Sequence, residues 1–259
     1  MSAEIVRVTS QGEGVRVLTM DKPPVNALGR ELVEALATQL AELREDASAR
    51  CLIVRGAGKH FCAGADLKER RGMSPDQVRE FVPRLSGVCR AMGQLPFPTI
   101  AAVAGTAAGG GCELALACDL RILADDARIG LRETALAIIP GAGGTCRLPR
   151  IAGMAAAKRW IFTAELHTAE QARLDGVADS VVPMERLDEA ANELAATIAS
   201  NGPVAVRLAK QSIEGGWDLS MDEALALEWK CYEGVLDTAD REEALNAFAE
   251  KRAPRFSGR

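Results

Sequence analysis

The hydrophobic positions in the first part of the chain follow two different periods. Short β-branched runs at residues 5–10 and 15–20 flank two glycines, which predicts a β-hairpin. Residues 28–44 place apolar side chains three or four positions apart, as a helix with one buried face does. A Ser-Pro pair at Ser74 predicts a second helix that runs to about Met92. Further strands are predicted at residues 51–55, 99–103 and 120–123.

The pattern changes near residue 185, where the β-branched runs stop and helical spacing continues almost to the end. Four helices are predicted there, at residues 185–200, 203–214, 221–235 and 237–251. Strands alternating with helices, followed by helices alone, indicate an α/β core with an all-helical tail. We therefore divide the 259 residues into a core at 1–195 and a C-terminal helical region at 196–259.

Composition narrows the class of protein. The formal net charge of −5 argues against a protein that binds nucleic acid through a basic surface. The seven cysteines form no C-x-x-C pair and lie mostly in apolar runs, so we expect buried free thiols in a reducing compartment. With two histidines and no H-E-x-x-H motif, no metal site is expected. We find neither a signal-peptide core nor an apolar run of about 18 residues, and so expect a soluble, cytoplasmic protein with no membrane partner.

Three segments concentrate the residues that carry chemistry, and the first spans residues 59–68. It reads Lys-His-Phe-Cys-Ala-Gly-Ala-Asp-Leu-Lys, and its small residues allow a ligand to approach the backbone closely. An ordinary turn from a strand to a helix has the same composition. By itself this segment leaves both interpretations open.

The second and third segments each place a glutamate in apolar surroundings. Glu113 follows Gly109-Gly110-Gly111 in the first turn of a predicted helix, where a carboxylate also complements the helix dipole. Glu133 lies in the segment 130–145, and a salt bridge to Arg132 or another cation would explain it equally well. A carboxylate left unpaired in such surroundings has a raised pKa, which suits proton transfer. The Gly-rich turn at 141–144 leads into a helix but is neither a P-loop nor a dinucleotide-binding motif.

These segments together resemble one superfamily. The runs F-C-A-G-A-D-L, G-G-G-C-E-L-A and I-P-G-A-G-G-T, in this order and with a closing F-A-E-K-R, resemble the crotonase (enoyl-CoA hydratase/isomerase) superfamily over essentially the whole chain. The resemblance implies an α/β fold: a crotonase-type spiral of ββα units with a C-terminal all-helical trimerisation region. It also implies a homotrimer or a dimer of trimers.

The resemblance further implies a reaction, the reversible addition of water across the 2,3 double bond of an enoyl-CoA thioester. Glu113 would take the proton of the attacking water, and Glu133 would deliver a proton to C2. The oxyanion hole falls on the backbone N–H groups of Ala65 and Gly110, and one such donor is typically worth about 100–1,000-fold in rate. A backbone N–H of Gly141 would lie near the attacking water. Because both glutamates are present, a catalytically inactive scaffold is disfavoured.

An acyl-CoA thioester is the expected partner. No separate cofactor is expected, because coenzyme A is part of the substrate. The resemblance places its contacts in the first segment and near the C-terminus. The candidate CoA-binding residues are Lys59, Ala63, Asp66, Leu67, Lys68 and Lys251. For the lysines, the alternative is an ordinary solvated surface position.

The segment F-C-A-G-A-D-L-K-E-R-R-G-M-S and its counterparts look most similar to the methylglutaconyl-CoA hydratase branch. That branch interconverts 3-methylglutaconyl-CoA and 3-hydroxy-3-methylglutaryl-CoA in leucine catabolism, and its substrate carries a second carboxylate. The candidate cations for this carboxylate are Lys68, Arg70, Arg71 and Arg132. The alternative is a generic short-chain (crotonyl-CoA) hydratase of fatty-acid oxidation, which shares the catalytic motifs.

The same branch includes a mitochondrial enzyme that also binds RNA through a lysine-rich helix. Here the corresponding helix carries only Arg30 and Arg44 against a majority of acidic side chains. These are Glu31, Glu34, Glu42, Glu45 and Asp46. Because phosphate contacts need clustered cations, we expect no nucleic-acid partner.

Overall fold

Two β-sheets form the centre of the computed structural model, which describes residues 4–259. Their strands alternate with helices along the chain, as the apolar runs predict. Within the described residues the strands are β1 (Val6–Gln11), β2 (Val15–Met20), β3 (Cys51–Gly56), β4 (Thr99–Val103), β5 (Thr106–Ala108), β6 (Leu120–Ala124), β7 (Arg128–Gly130), β8 (His167–Thr168) and β9 (Ser180–Val182).

Helices connect most of the strands and make up the C-terminal region. Over the same residues they are α1 (Arg30–Glu45), α2 (Leu67–Arg71), α3 (Pro75–Gly93), α4 (Gly110–Ala117), α5 (Gly144–Thr163), α6 (Ala169–Leu174), α7 (Leu187–Ala199), α8 (Pro203–Gly216), α9 (Met221–Leu236) and α10 (Ala239–Glu250). Short 3-10 turns occur at Glu133–Leu136 and Met184–Arg186. Helix α5 is kinked at Gly153.

The larger sheet has the strand order β1-β2-β3-β4-β6-β9. Every neighbouring pair is parallel except the β1–β2 hairpin. All five residues of β4 are buried, as are the first four of β3. Parallel strands covered on both faces are apolar throughout, which explains why these segments read as unbroken rather than alternating runs.

The chain passes from the larger sheet to the smaller one, ordered β5-β7-β8, after β4 and again after β6. Strand β4 of the larger sheet leads to β5 and then to α4, and β6 leads in the same way to β7 and the 3-10 turn at 133–136. This confirms the predicted spiral of ββα units. Because β5 and β7 pair in parallel through Ala108 and Gly130, the residues that follow them emerge side by side.

Helix α7 spans the predicted boundary between residues 195 and 196. Its buried residues Leu187, Ala191, Ala195 and Ala199 share one face, and the helix packs along strands of the larger sheet. The chain therefore stays with the sheet until Ala199. Helices α8, α9 and α10 follow as the predicted all-helical region.

Polar contacts fasten this helical region to the core at several points, among them one at Lys210 and one at Arg50. On α8, Lys210 is only 8% exposed, and its Nζ donates to Oδ2 of Asp119 at 2.8 Å. Near the C-terminus, the carbonyl of Phe256 accepts from Nη2 of Arg50 at 2.6 Å. Large apolar side chains nevertheless stay exposed here: Ile213, Trp217, Leu225, Trp229, Tyr232, Leu245 and Phe248.

The predicted elements agree with the structure except at their ends and at the shortest strands. The helix predicted at 28–44 is α1, shifted by one or two residues, and the helix predicted from 185 is a 3-10 turn followed by α7. Strands β5, β7, β8 and β9 have two or three residues each and were not predicted. Six of the seven cysteines are buried, as predicted, and Cys146 is exposed. Among the described residues, no helix is both long and apolar enough to cross a membrane.

Candidate active site

Glu113 lies in a fully buried helix and is bound by the turn that precedes another helix. All eight residues of α4 are buried, and Glu113 itself is 2% exposed. Its Oε1 accepts from the backbone N–H of Ala142 at 2.7 Å and of Gly144 at 2.9 Å. Gly144 is the first residue of α5, so the carboxylate lies at the N-terminus of α5, where the helix dipole favours negative charge. The main contact of Glu113 is therefore with the N-terminus of α5 and not with the dipole of its own helix α4.

Glu133 has a different environment. It occupies the 3-10 turn after β7, is 9% exposed, and its buried Oε2 has no hydrogen-bond partner among residues 4–259. Within those residues no cation lies within 4.0 Å of its carboxylate, so the salt bridge to Arg132 that we considered is absent. Burial and, to a smaller extent, the negative charge of Glu113 together raise the pKa of Glu133 to about 7.

The two carboxylates therefore differ in how readily they ionise. Burial also raises the pKa of Glu113, but the amides of Gly144 and Ala142 and the positive charge of Arg147 oppose that effect. Glu133 has no comparable donors beyond the backbone at 132 and 133. A pair of interacting carboxyl groups whose surroundings differ in this way can hold one proton between them near neutral pH.

The backbone amides of Ala65 and Gly110 lie near Glu133, in residues that line the same cavity. A Cβ built on Gly110 would lie 3.9 Å from the nitrogen of Ala65, which places the Ala65 and Gly110 amides close together. Within the described part of the chain, neither N–H donates a hydrogen bond to a protein acceptor. Gly109, just before them, has a φ of +51°, and a Cβ there would approach Oε1 of Glu133 to 3.0 Å. A side chain at 109 would thus be strained and would crowd Glu133.

A cavity of about 270 Å³ lies between these groups. Its walls come from the segment after β3, the start of α4 and the turn after β7. The lining residues are Ala63, Gly64, Ala65, Leu67, Arg70, Ala108, Gly109, Gly110, Arg132, Glu133, Ala135, Leu136 and Ile138. A mostly apolar cavity with a few converging polar groups is the usual form of a small-molecule site.

Sequence comparison identifies the family to which the chain belongs. The profile of the family described as "Enoyl-CoA hydratase/isomerase" matches residues 10–259. The chain belongs to the enoyl-CoA hydratase/isomerase family. This family is part of the crotonase superfamily, as the resemblance of the sequence motifs implied.

Individual relatives agree with this assignment. A solved enoyl-CoA hydratase from Bacillus anthracis is 46% identical, with a TM-score of 0.96 over 98% of this chain and 100% of that one. The Mus musculus protein named "Enoyl-CoA hydratase domain-containing protein 2, mitochondrial" is 45% identical over 99% of this chain and 88% of its own. Human mitochondrial methylglutaconyl-CoA hydratase is 42% identical over 96% of this chain and 75% of its own.

Four cations were predicted to bind a distal carboxylate of the substrate. Two of them, Arg70 and Arg132, line the cavity. The guanidinium carbon of Arg70 lies 5.6 Å from the ring centroid of Phe81, and Arg132 is exposed. Among the described residues neither has an acidic partner within 4.0 Å. Both are thus free to pair with a ligand anion. Lys68 and Arg71 are exposed and lie outside the lining.

The remaining predicted residues lie around rather than within the cavity. Gly141 is exposed and directly precedes Ala142, whose amide binds Glu113. Asp66 caps α2 by accepting from the amides of Lys68 and Glu69, each at 3.1 Å. Lys59 and Lys251 are exposed, and Lys251 ends α10 in a left-handed conformation. The structure therefore brings Ala63, Ala65, Leu67, Gly110 and Glu133 together around the cavity. Glu113 lies outside the lining but close enough to Glu133 for its charge to raise the pKa of that carboxyl.

Sequence reasoning missed two features of this site. The amides of Ala142 and Gly144 as ligands of Glu113 follow from tertiary structure alone, although the Gly-rich turn marked the place. The apolar wall formed by Ala135, Leu136 and Ile138 was also missed. The sequence shows an apolar run beside Glu133, but the exposure that separates this wall from a core segment follows from the structure alone.

Replacing Glu133 by glutamine should stabilise the protein at alkaline pH. With a folded-state pKa of about 7 against an ordinary 4.5, the folded protein keeps a proton that the unfolded chain releases between these values. The stability that this proton contributes is present below about pH 4.5 and is lost as the pH rises through about 7. The difference corresponds to about 3 kcal/mol. Urea unfolding at fixed protein concentration should show Glu133→Gln gaining on the wild type between about pH 5 and pH 8.

Glu34→Gln, on the exposed face of α1, controls for the loss of one negative charge. Its difference from the wild type should stay constant over the same pH range. If Glu133→Gln behaved in the same way, Glu133 would ionise as a solvated carboxylate does, and the raised pKa would be wrong.

Proposed function

We propose that the protein is an enoyl-CoA hydratase, which adds water reversibly across the 2,3 double bond of an enoyl thioester of coenzyme A. The observation that carries this proposal is the pair of buried glutamates with unequal surroundings beside two free backbone amides. Reversible hydration needs one group that accepts a proton and one that delivers a proton. It also needs donors for the negative charge that develops on the thioester oxygen.

The oxyanion step falls on the two amides. The thioester oxygen would accept hydrogen bonds from the N–H groups of Ala65 and Gly110. Ala65 has a small side chain and Gly110 has none, so both leave room for the ligand. As water attacks C3, the enolate charge on that oxygen grows, and fixed amide dipoles stabilise it without reorganising. The first residue of α4 contributes one of the two donors, so the helix N-terminus adds to the effect.

The proton transfers fall on the two carboxylates. Oε1 of Glu113 is already bound by two amides, which leaves Oε2 to take the proton of the attacking water. Glu133, protonated below about pH 7, delivers a proton to C2. Hydroxyl thus adds to C3 and hydrogen to C2. Loss of a proton from Glu113 and gain of one by Glu133 then restore the starting state.

Coenzyme A would lie along the segment after β3. Ala63 and Leu67 line the mouth of the cavity, and Leu67 is 58% exposed, so its side chain is available to a ligand. We assign Lys59, Lys68 and Lys251 to the phosphates of coenzyme A as exposed cations, and Asp66 to the same segment through its backbone. The N–H of Gly141 is assigned to the attacking water.

For the acyl group we propose 3-methylglutaconyl-CoA, the substrate named for the human relative at 42% identity. Its distal carboxylate must meet a cation or lose binding energy to desolvation. Arg70 and Arg132 line the cavity and have no acidic partner within the described chain. The alternative is a short-chain hydratase that prefers crotonyl-CoA. The Mus musculus relative at 45% identity and the Bacillus anthracis structure at 46% are named only for enoyl-CoA hydratase, without a particular acyl group.

The helical region supports a homotrimer or a dimer of trimers. Phe248 is 86% exposed and Met221 is 74% exposed, with further aromatic and aliphatic side chains beside them on α8, α9 and α10. An apolar surface of this kind is covered in most stable proteins by another chain or a ligand. A second copy of the same chain is the simplest cover.

Glu113→Gln and Glu133→Gln should each lose most hydratase activity. Each substitution keeps the shape of the side chain but removes the group that exchanges a proton, a loss typically of about 100–10,000-fold. Hydration of crotonyl-CoA, followed by the absorbance of the conjugated thioester, measures it. Glu34→Gln is the control, and both variants should keep the wild-type oligomeric state. Near-wild-type turnover by either variant would rule out the two-glutamate mechanism.

Arg132→Ala and Arg70→Ala should lower kcat/KM for 3-methylglutaconyl-CoA more than for crotonyl-CoA. Losing a charge-assisted hydrogen bond costs about 1.5–3 kcal/mol, so the ratio should change by roughly 10- to 150-fold for the residue that binds the carboxylate. Arg71→Ala, next to Arg70 in helix α2 but outside the cavity lining, is the matched control. Equal losses on both substrates would instead indicate contacts with coenzyme A. A wild-type preference for crotonyl-CoA would favour the alternative.

Light scattering at micromolar concentration should give a mass of three or six chains of 27.5 kDa. Phe248→Glu together with Met221→Glu should shift the population toward smaller species, because two charges are costly at a buried contact. A monodisperse wild-type monomer would contradict the proposed assembly.

A further inference from the structure

Arg147, in the first turns of α5, joins the turn that binds Glu113 to helix α3. Its Nη1 donates to the carbonyl of Ala142 at 3.0 Å, and its Nη2 donates to the carbonyl of Cys89 on α3 at 3.2 Å. The guanidinium is partly buried. Ala142 is only 1% exposed and is held from both sides, because its N–H binds Glu113 and its carbonyl accepts from Arg147.

The backbone around this arginine is shaped to receive it. Gly143 has a φ of +110°, and a Cβ built on it would overlap Nη1 of Arg147. Gly93, on the other side, would place a Cβ 3.9 Å from Nη2. The guanidinium therefore occupies space that a side chain at 143 would fill, and it lies within contact distance of Gly93. A planar fork with several N–H donors can reach two carbonyls there at once, whereas a lysine ammonium is a single point charge on a flexible stem.

We infer that Arg147 is a positioning residue that orients Glu113 by fixing the Ala142–Gly143 peptide, which lies between the two peptide groups whose amides bind its carboxylate. The carbonyl of Ala142 and the nitrogen of Gly143 belong to one peptide unit, so Arg147 sets the orientation of that unit. The next peptide carries the Gly144 N–H, the second donor to Glu113. This inference rests on the proposed hydratase reaction, in which Glu113 takes the proton of the attacking water.

The charge of Arg147 adds an effect that can be separated from its geometry. It lowers the pKa of Glu113 against the opposing effect of burial. The other titratable groups that face Glu113 are Glu133 from the 3-10 turn and the thiols of Cys89 on α3 and Cys112 on α4. None of these is a cation, so Arg147 supplies the positive charge among the groups that shift the pKa of Glu113.

A merely structural role, tying α5 to α3, would predict something different. Loss of Arg147 would then lower the fraction of folded protein and change neither the turnover per folded site nor its pH profile. The positioning role predicts a defect in turnover in a folded enzyme. It also predicts different outcomes for a variant that keeps the charge and one that removes it.

The experiment compares Arg147→Lys and Arg147→Met with the wild type in steady-state hydration of crotonyl-CoA between about pH 5 and pH 9. In both variants kcat should fall by roughly 10- to 100-fold, as expected for a misplaced catalytic group, while KM changes little. The acidic limb of kcat/KM should move to higher pH in Arg147→Met and stay near the wild-type position in Arg147→Lys. Arg150→Met, an exposed arginine one turn further along α5, should match the wild type in both respects.

Wild-type kcat and an unmoved acidic limb in folded Arg147→Met would overturn the inference. If Arg147→Met does not fold, Arg147→Lys decides by its kcat; if neither folds, a structural role accounts for the residue and the inference is overturned. Failure of the proposed function is recognised separately. A wild-type protein without hydratase activity, or a fully active Glu113→Gln variant, would refute the reaction, whereas normal Arg147 variants of an active enzyme would refute only the positioning role.

Discussion

The interaction on which the site depends is the pair of hydrogen bonds from the turn before α5 to Oε1 of Glu113. A carboxylate that is 2% exposed is costly unless it is paired or well hydrogen-bonded. Here two amides at 2.7 and 2.9 Å and the nearby Arg147 cation supply that compensation. The two amides bind only Oε1 of Glu113, so Oε2 is left free to exchange a proton. The same contacts hold the Gly-rich turn in place, so α4 and α5 are joined through the Glu113 carboxylate itself.

The two glutamates come together because of the parallel pairing of two very short strands. Glu113 follows β5 and Glu133 follows β7, and these strands are neighbours in register at Ala108 and Gly130. The amide of Gly109 continues the pairing by donating to the carbonyl of Gly130 at 2.9 Å. Chains that leave adjacent parallel strands in the same direction stay adjacent. The repeat of the ββα unit thus brings two carboxylates that are twenty residues apart close enough to interact, with Glu133 in the wall of the cavity.

The sequence was sufficient for the large elements, and it singled out Glu113 and Glu133, which the structure buries. Buried strands such as β4 are continuous apolar runs, and α3 begins with a Ser74 cap that closes a capping box, so local signals coincided with the tertiary outcome. Strands β5 and β7 have three residues each, too few for any periodicity, and form because a neighbouring strand is available. For the same reason the pairing of Glu113 with Ala142 and Gly144, about thirty residues away, could not be predicted from spacing. Arg147 escaped notice because an arginine in a helix has no local signal that separates it from a solvated one.

The difference between the hydrogen bonds and charges around Glu113 and those around Glu133 also bears on the choice of substrate. Glu133 already has its pKa raised to about 7 by burial and by the charge of Glu113. A second carboxylate on the acyl chain would add negative charge to the same cavity and would raise that pKa further unless a cation met it. Arg132 adjoins Glu133 in sequence and lines the cavity, but it lies outside salt-bridge distance of that carboxylate in the described structure. Had it paired with Glu133, the pKa would fall and the protonated acid would be lost at neutral pH. An arginine kept apart from the acid and open to the cavity is therefore consistent with both requirements: an uncharged proton donor and a counterion for an acidic substrate.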